Sequence, residues 1–162
     1  KINFSNMDIG AGKILISSSS MDDPTFRSSV LFITEHNDTG AMAFVINQVF
    51  ERPLNQLTEF ISSPPFPLYS GGPVDKEHLF FIHRCPDLVP AGTHIIDDIY
   101  LGGDFKKAIA YINQGILNGS MMKIFIGYSG WDAGELEAEI EEGSWEIAHA
   151  DAAMVFNTDA MI

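Results

Sequence analysis

"GYSGWDAGELEAEIEEGSW", residues 127–145, places two glycines, a serine, a tyrosine and a tryptophan directly ahead of an acidic helical segment. A strand, a glycine-flanked serine and then a helix is the setting of a nucleophile elbow, in which a strained turn exposes the serine hydroxyl. The elbow pattern Gly-x-Ser-x-Gly fails at its last position, because Trp131 stands where the close turn needs glycine. Only one histidine, His149, follows Ser129, and it falls in the last strand-like segment. The preferred reading is a capped corner. Tyr128 and Trp131 pack as amphipathic anchors, and Asp132 and Glu135 fit the two ends of an N-terminal capping box. Leu136 and Ile140 then face inward, Glu137, Glu139, Glu141 and Glu142 face water, and Gly143 ends the helix.

Working outward, "MKIFIGY" (122–128) reads as a central strand feeding this corner. "KILIS" (13–17) is short, apolar and β-rich. "SVLFIT" (29–34) and "AMAFVIN" (41–47) flank "EHNDTG", which supplies hairpin-turn chemistry through Asn37, Asp38 and Gly40. Pro53 suits a first helical position, and Leu54, Leu57 and Ile61 recur at helical spacing until "SSPPFP" breaks the pattern. Strands follow around "PLYSG", at "LFFIH" (79–83) and through "IIDDIYL" (95–101). A helix opens near Asp104, carries the stripe Phe105, Ala108, Ile109, Ile112 and Ile116, and stops at Gly115. A strand at 144–149 and a helical turn at 151–156 close the chain. Strands and helices mix without strict alternation, which predicts an α/β (mixed α+β) fold with a mixed sheet flanked by helices. The whole, 1–162, reads as a single compact domain with a sub-lobe at 50–100.

The 162 residues are 46% hydrophobic, enough to bury a sizeable core. No apolar run approaches the roughly 20 residues needed to cross a bilayer, and no secretory pattern follows Lys1, so a soluble protein is expected. The lone Cys85 cannot form an internal disulfide and suits a reducing compartment, which makes cytoplasm the expected location. A start at Lys1 and an end at "NTDAMI" suggest further residues at both termini. The net charge is −13, and all nine Lys and Arg lie before residue 124, so the last quarter is purely anionic. Such a surface repels nucleic acid and anionic membranes.

The histidines His36, His78, His83, His94 and His149 show no metal-ligand spacing, and no cofactor fingerprint is present. Asp97 and Asp98, if on a strand, point to opposite faces and cannot share a proton. The pairs Gly71-Gly72 and Gly102-Gly103 could expose N–H groups to an anion, although glycine pairs more often make plain turns. Asn47, polar at the end of an apolar strand, either caps neighbouring backbone or lines a pocket. The candidate binding residues are therefore His36, Asn47, Gly71, Gly72, Tyr128 and Trp131, on a non-enzymatic protein that binds a protein or small-molecule partner. The alternative is a small-substrate hydrolase using Ser129 or a Glu35/His36 pair near the hairpin turn.

Several phrases together resemble the bacterial YqgE/AlgH family: "GKILIS" (12–17), "MDDPTFRSSV" (21–30), "EHNDTGAMAFVIN" (35–47), "GGPV" (71–74), "LFFIH" (79–83) and "GYSGWDAGELEAE" (127–139), closed by Trp145. Their order and spacing span the chain from end to end. The resemblance implies a mixed α/β structure with a partly barrel-like sheet surrounded by helices. It also implies a regulatory role, since members are labelled transcriptional regulators. Direct DNA contact fits poorly with an anionic chain that has no helix-turn-helix signature. Gln48 and Val49 stand where the family pattern continues into Arg-Pro, and Ser129 where members often carry alanine.

Overall fold

The computed structural model describes residues 9–18, 26 and 28–157. Among the described residues nine strands join in one sheet: β1 (Lys13–Ser17), β2 (Val30–Asn37), β3 (Gly40–Val45), β4 (Leu68–Ser70), β5 (Val74–His83), β6 (Thr93–Ile96), β7 (Ile99–Leu101), β8 (Met122–Asp132) and β9 (Trp145–His149). The helices α1 (Phe105–Asn113), α2 (Glu135–Glu141) and α3 (Ala152–Phe156) are short. The order is β6-β7-β5-β8-β3-β2-β1-β9, with β4 also on β8. Pairing among the described strands is antiparallel except between β4 and β8.

This corrects the expected helix-surrounded α/β fold. The molecule is mostly β, a curled half-barrel sheet with few helices. The main cause is that residues read as a corner belong to a strand: β8 runs for 11 residues through Gly127, Ser129 and Trp131 and stops only at Asp132. The helical stripe at 54–61 yields just two 3-10 turns, Leu54–Gln56 and Thr58–Phe60, because Leu57 between them takes an extended backbone, and Pro64 and Pro65 bar any continuation beyond. The acidic helix α2 has seven residues. Ile116 lies beyond α1 and is exposed, and Asp97 and Asp98 form the turn between β6 and β7, not a strand.

Strand β8 is the hub. Its first half, Met122–Ile126, has β5 on one edge and β4 on the other, while its second half pairs β3 through Ser129–Asp132. Since β4 leads directly into β5, Gly71-Gly72 must carry the chain across β8. Backbone lies on backbone there: a Cβ on Gly71 would sit 2.4 Å from the Gly127 carbonyl oxygen, and one on Gly72 would sit 2.2 Å from the Tyr128 carbonyl carbon. From the other side, a Cβ on Gly127 (φ +72°) would meet the Gly72 oxygen at 2.5 Å. Only glycine permits this approach. Gly71 is also stitched in on both sides, its N–H donating to Ile126 O and its carbonyl accepting from Val45 N, each at 2.9 Å.

The kink at Gly127 changes which way β8 side chains point. Met122, Ile124 and Ile126 face one cluster with α1, whereas Phe125 and Tyr128, three residues apart, share another. An undistorted strand would put residues three apart on opposite faces. The concave cluster holds Ile14, Phe32, Phe44 and Phe125, with Phe44 stacked on Phe125 at 4.4 Å, and α3 packs into it through Val155 and Phe156. On the convex side, α2 covers Leu15, Leu31, Ile33 and Val45, and α1 covers Phe81, Met122 and Ile124. Burial on both faces explains why β1, β2 and β3 read as continuous apolar runs.

Lys123 is the exception to this apolar lining. It is 2% exposed, and its Nζ donates to Ile46 O at 3.1 Å and to Val155 O at 2.8 Å while lying 4.2 Å from the Tyr69 ring centre. A cation on the last carbonyls of α3 complements the helix dipole and pins that helix to the sheet.

The crossing predicts the cost of a single methyl. Gly71→Ala should lower stability by about 3 kcal/mol, while Gly119→Ala, with nothing within 4 Å of its Cβ position, should stay within about 0.5 kcal/mol of wild type, both read from urea unfolding.

Candidate functional site

Ser129 faces inward at the hub. It pairs with Ala43 of β3, is 1% exposed, and its Oγ donates to the Gly71 carbonyl at 3.2 Å. The hydroxyl therefore ties the crossing loop to β8. His149 lies on β9, at the outer end of that flank of the sheet, where its Nδ1 accepts from Lys13 Nζ at 3.1 Å.

The residues after Ser129 are organised by a carboxylate that the sequence pattern placed in water. Glu139 is half-buried, and its Oε1 accepts from both indoles, Trp131 Nε1 at 3.0 Å and Trp145 Nε1 at 2.9 Å. Two large rings thus converge on one oxygen and fix α2 against the convex face. The capping box is half present. Glu135 Oε1 accepts from Asp132 N at 2.6 Å, but the N-cap is Gly134 (φ +81°) and the Asp132 side chain caps nothing. The helix starts later than expected because Asp132 is spent as the last residue of β8.

Asn47 caps backbone, accepting from Val30 N at 3.0 Å and donating to Ser28 O at 3.1 Å, and so locks the start of β2. Glu35 and His36 do not pair with each other. Strand alternation separates them: Glu35 accepts from Asn37 Nδ2 at 3.1 Å, and His36 Nε2 lies 3.1 Å from Glu137 Oε2 of α2. Its own backbone N–H and then His36 hold the Glu137 carboxyl below the usual carboxylate range. Gly71 and Gly72 serve the crossing. Of the six candidate binding residues, Tyr128 and Trp131 border an open cleft.

That cleft, about 430 Å³, lies between the tip of the β2–β3 hairpin and the end of β8. Tyr128, Met42 and Val74 give it an apolar wall, and Glu35, Asp132 and Glu135 make its rim acidic. Tyr128 is fixed by an edge-to-face contact with Phe80 at 5.4 Å. A second, larger cleft of about 640 Å³ opens over the 3-10 turns, β5 and the start of α1. No local pattern marks either cleft as a whole, because each gathers residues from at least three distant segments.

The remaining reactive groups are held in structural roles. His83 is buried, donating Nε2–H to Gly102 O at 2.9 Å and accepting Cys85 N–H on Nδ1 at 3.2 Å, and burial pushes its pKa down. Burial also pushes the Cys85 thiol up, away from the reactive thiolate. His78 is exposed and held by Asp75 at 2.6 Å, which raises its pKa, and no hydroxyl hydrogen-bonds its Nε2 among the described residues. His94 Nε2 meets Asp97 O at 2.8 Å. No group of three His, Cys, Asp or Glu side chains poised for a metal occurs among the described residues, and no helix there is long and apolar enough to cross a membrane.

A family model described as AlgH-like matches residues 14–161. The chain belongs to this AlgH-like family. A UPF0301 protein of Chlorobium luteolum is 38% identical over 149 residues, covering 92% of this chain and 79% of the relative, and one of Chlorobium limicola is equally similar. The solution structure of the AlgH protein of Pseudomonas aeruginosa superposes with a TM-score of 0.73 at 29% identity, over 90% of this chain and 80% of that one. Protein DIP2367 of Corynebacterium diphtheriae shares the fold, with a TM-score of 0.75 at 24% identity over 94% and 84% of the two chains. Two of the phrases quoted from the sequence meet at the hub: "GGPV" is the crossing loop, and "GYSGWDAGELEAE" begins with the kinked strand beneath it. Residues 21–25 and 27 of the phrase "MDDPTFRSSV" lie outside the described residues. Membership in the AlgH-like family brings a fold and no reaction.

Two outcomes test these assignments. Glu139→Ala leaves two indole N–H groups without their acceptor and should cost about 2 to 3 kcal/mol, whereas Asp132→Ala should cost under about 0.5 kcal/mol, both by urea denaturation. For His83, the unfolded imidazole takes a proton near pH 6.5 while the folded one resists it. Its contribution is therefore present above about pH 6.5 and is lost as pH falls through the lower folded value. His78 acts in the opposite sense, so the readout is a difference: the loss of stability between pH 7 and pH 5 should be smaller in His83→Gln than in wild type.

Proposed function

We propose that this AlgH-like protein is a non-enzymatic, cytoplasmic regulatory protein that acts by binding a partner at the acidic cleft beside Tyr128. The carrying observation is the division of labour along β8. Ser129 turns its hydroxyl inward onto Gly71, while the neighbouring Tyr128 presents its ring to an open space rimmed by Glu35, Asp132 and Glu135. A tyrosine face beside carboxylates suits the cationic side chain of a partner, through ion pairing and cation–π attraction. Val74, 38% exposed, supplies apolar surface for the stem of a Lys or Arg. The net charge of −13 steers such a partner toward the surface and disfavours an operator as the target. The free thiol of Cys85 suits a reducing compartment.

The test is an NMR titration of the isotopically labelled protein with an arginine-rich nonapeptide and with its glutamate counterpart. The arginine peptide should shift the amides of Tyr128, Gly130 and Asp132, and Glu35→Gln should weaken it about threefold. Equal response to the two peptides, or shifts confined to other surfaces, would rule the reading out.

A further inference from the structure

The second cleft has no part in that reading and is built differently. Its floor consists of Phe50, Leu57, Phe60, Leu79, Phe105 and Ile126, all of them half-buried members of the α1-side core cluster. They remain half-buried because the chain between β3 and β4 forms only two 3-10 turns, too short to roof the convex face of β5 and β8. Phe60 and Phe105 meet edge to face at 5.9 Å, which makes the floor a set surface, and the volume of about 640 Å³ suits a small organic molecule. The core therefore opens to solvent here and gains by being covered.

The rim adds charge of the rarer sign. Arg52 and Lys76 line the cleft, and neither makes an ion pair among the described residues, in a chain with 22 acids and nine Lys and Arg. The guanidinium of Arg52 lies over the Phe50 ring at 5.4 Å, so it is positioned above the apolar floor. His78, beside them, is held by Asp75. Glu59 and Glu77 also stand on the rim and limit the attraction. We infer that this cleft binds a small amphiphilic anion, an apolar body on the phenylalanine floor with a single carboxylate head between Arg52 and Lys76. Neither cation is buried, so head-group recognition is modest and depends on the body being anchored at the same time.

The experiment is an NMR titration of the full chain with sodium octanoate, octylammonium chloride and 1-octanol, which share a body and differ in the head. Octanoate should shift the amides of Phe60, Leu79, Phe105 and Ile126 and bind about tenfold more tightly than octylammonium. Arg52→Gln and Lys76→Gln should each weaken octanoate about threefold and leave octanol unchanged, Glu77→Gln should strengthen octanoate, and Lys106→Gln should have no effect. Octylammonium or octanol binding as well as octanoate, or octanoate shifting residues elsewhere or none, would overturn the inference. The arginine-peptide titration reads amides of the other cleft, so failure of one proposal is distinguishable from failure of the other.

Discussion

The fold depends on one close approach, the passage of Gly71 and Gly72 over β8 at Gly127. Strands β4 and β5 are consecutive in sequence yet occupy opposite edges of β8, so the loop between them has to cross the strand it serves. Three glycines let backbone touch backbone, and Val45, Ile126 and Ser129 then hydrogen-bond to Gly71 from three directions. The crossing closes off the reaction that the serine first suggests. The hydroxyl that the sequence offers as a nucleophile is the group that fastens the loop.

Downstream features follow from the kink this crossing imposes. By reversing the alternation of β8, it puts Phe125 and Tyr128 on the concave side and Trp131 under α2. Lys123 then holds α3 over the concave cluster, and Glu139 holds α2 over the convex one. Both are charged groups used as clamps, with backbone carbonyls or indole N–H groups for partners. Such contacts fix the orientation of a short helix that has too few turns to be stable by propensity alone. The two clefts lie where this coverage runs out, one beyond the end of β8 and one beyond the 3-10 turns.

Much of the strand content was legible. β1, β2 and β3 are short β-rich runs, the Asn37-Asp38-Thr39-Gly40 turn marks the hairpin, and Asp104 caps α1 by accepting from Lys107 N at 3.1 Å. The architecture departs from the sequence expectation where glycines look like strand ends. In β8 they permit a crossing in mid-strand, a requirement set by β4 and β5 some 50 residues earlier and invisible to any local pattern. Helical spacing misled in the same way at Glu139, which lies on the polar side of α2 by sequence but meets two tryptophans from β8 and β9 in space. Asn47 stands between two readings in the sequence, backbone cap or pocket lining, and its bonds to Val30 N and Ser28 O show the cap. The candidate site is the least legible part: Tyr128 and Trp131 stand out in the sequence by their aromatic character and line the first cleft, while its acidic rim and the second cleft arise only from tertiary assembly.

Native-state hydrogen exchange measures the crossing most directly. The amides of Val45 and Gly71, which donate across it to Gly71 O and Ile126 O, should exchange only through global unfolding, with the same free energy and denaturant dependence as the core amides of β8. Exchange of those two amides through a local opening several kcal/mol below global unfolding, while β8 stays protected, would show that the sheet holds without the crossing and would contradict the account.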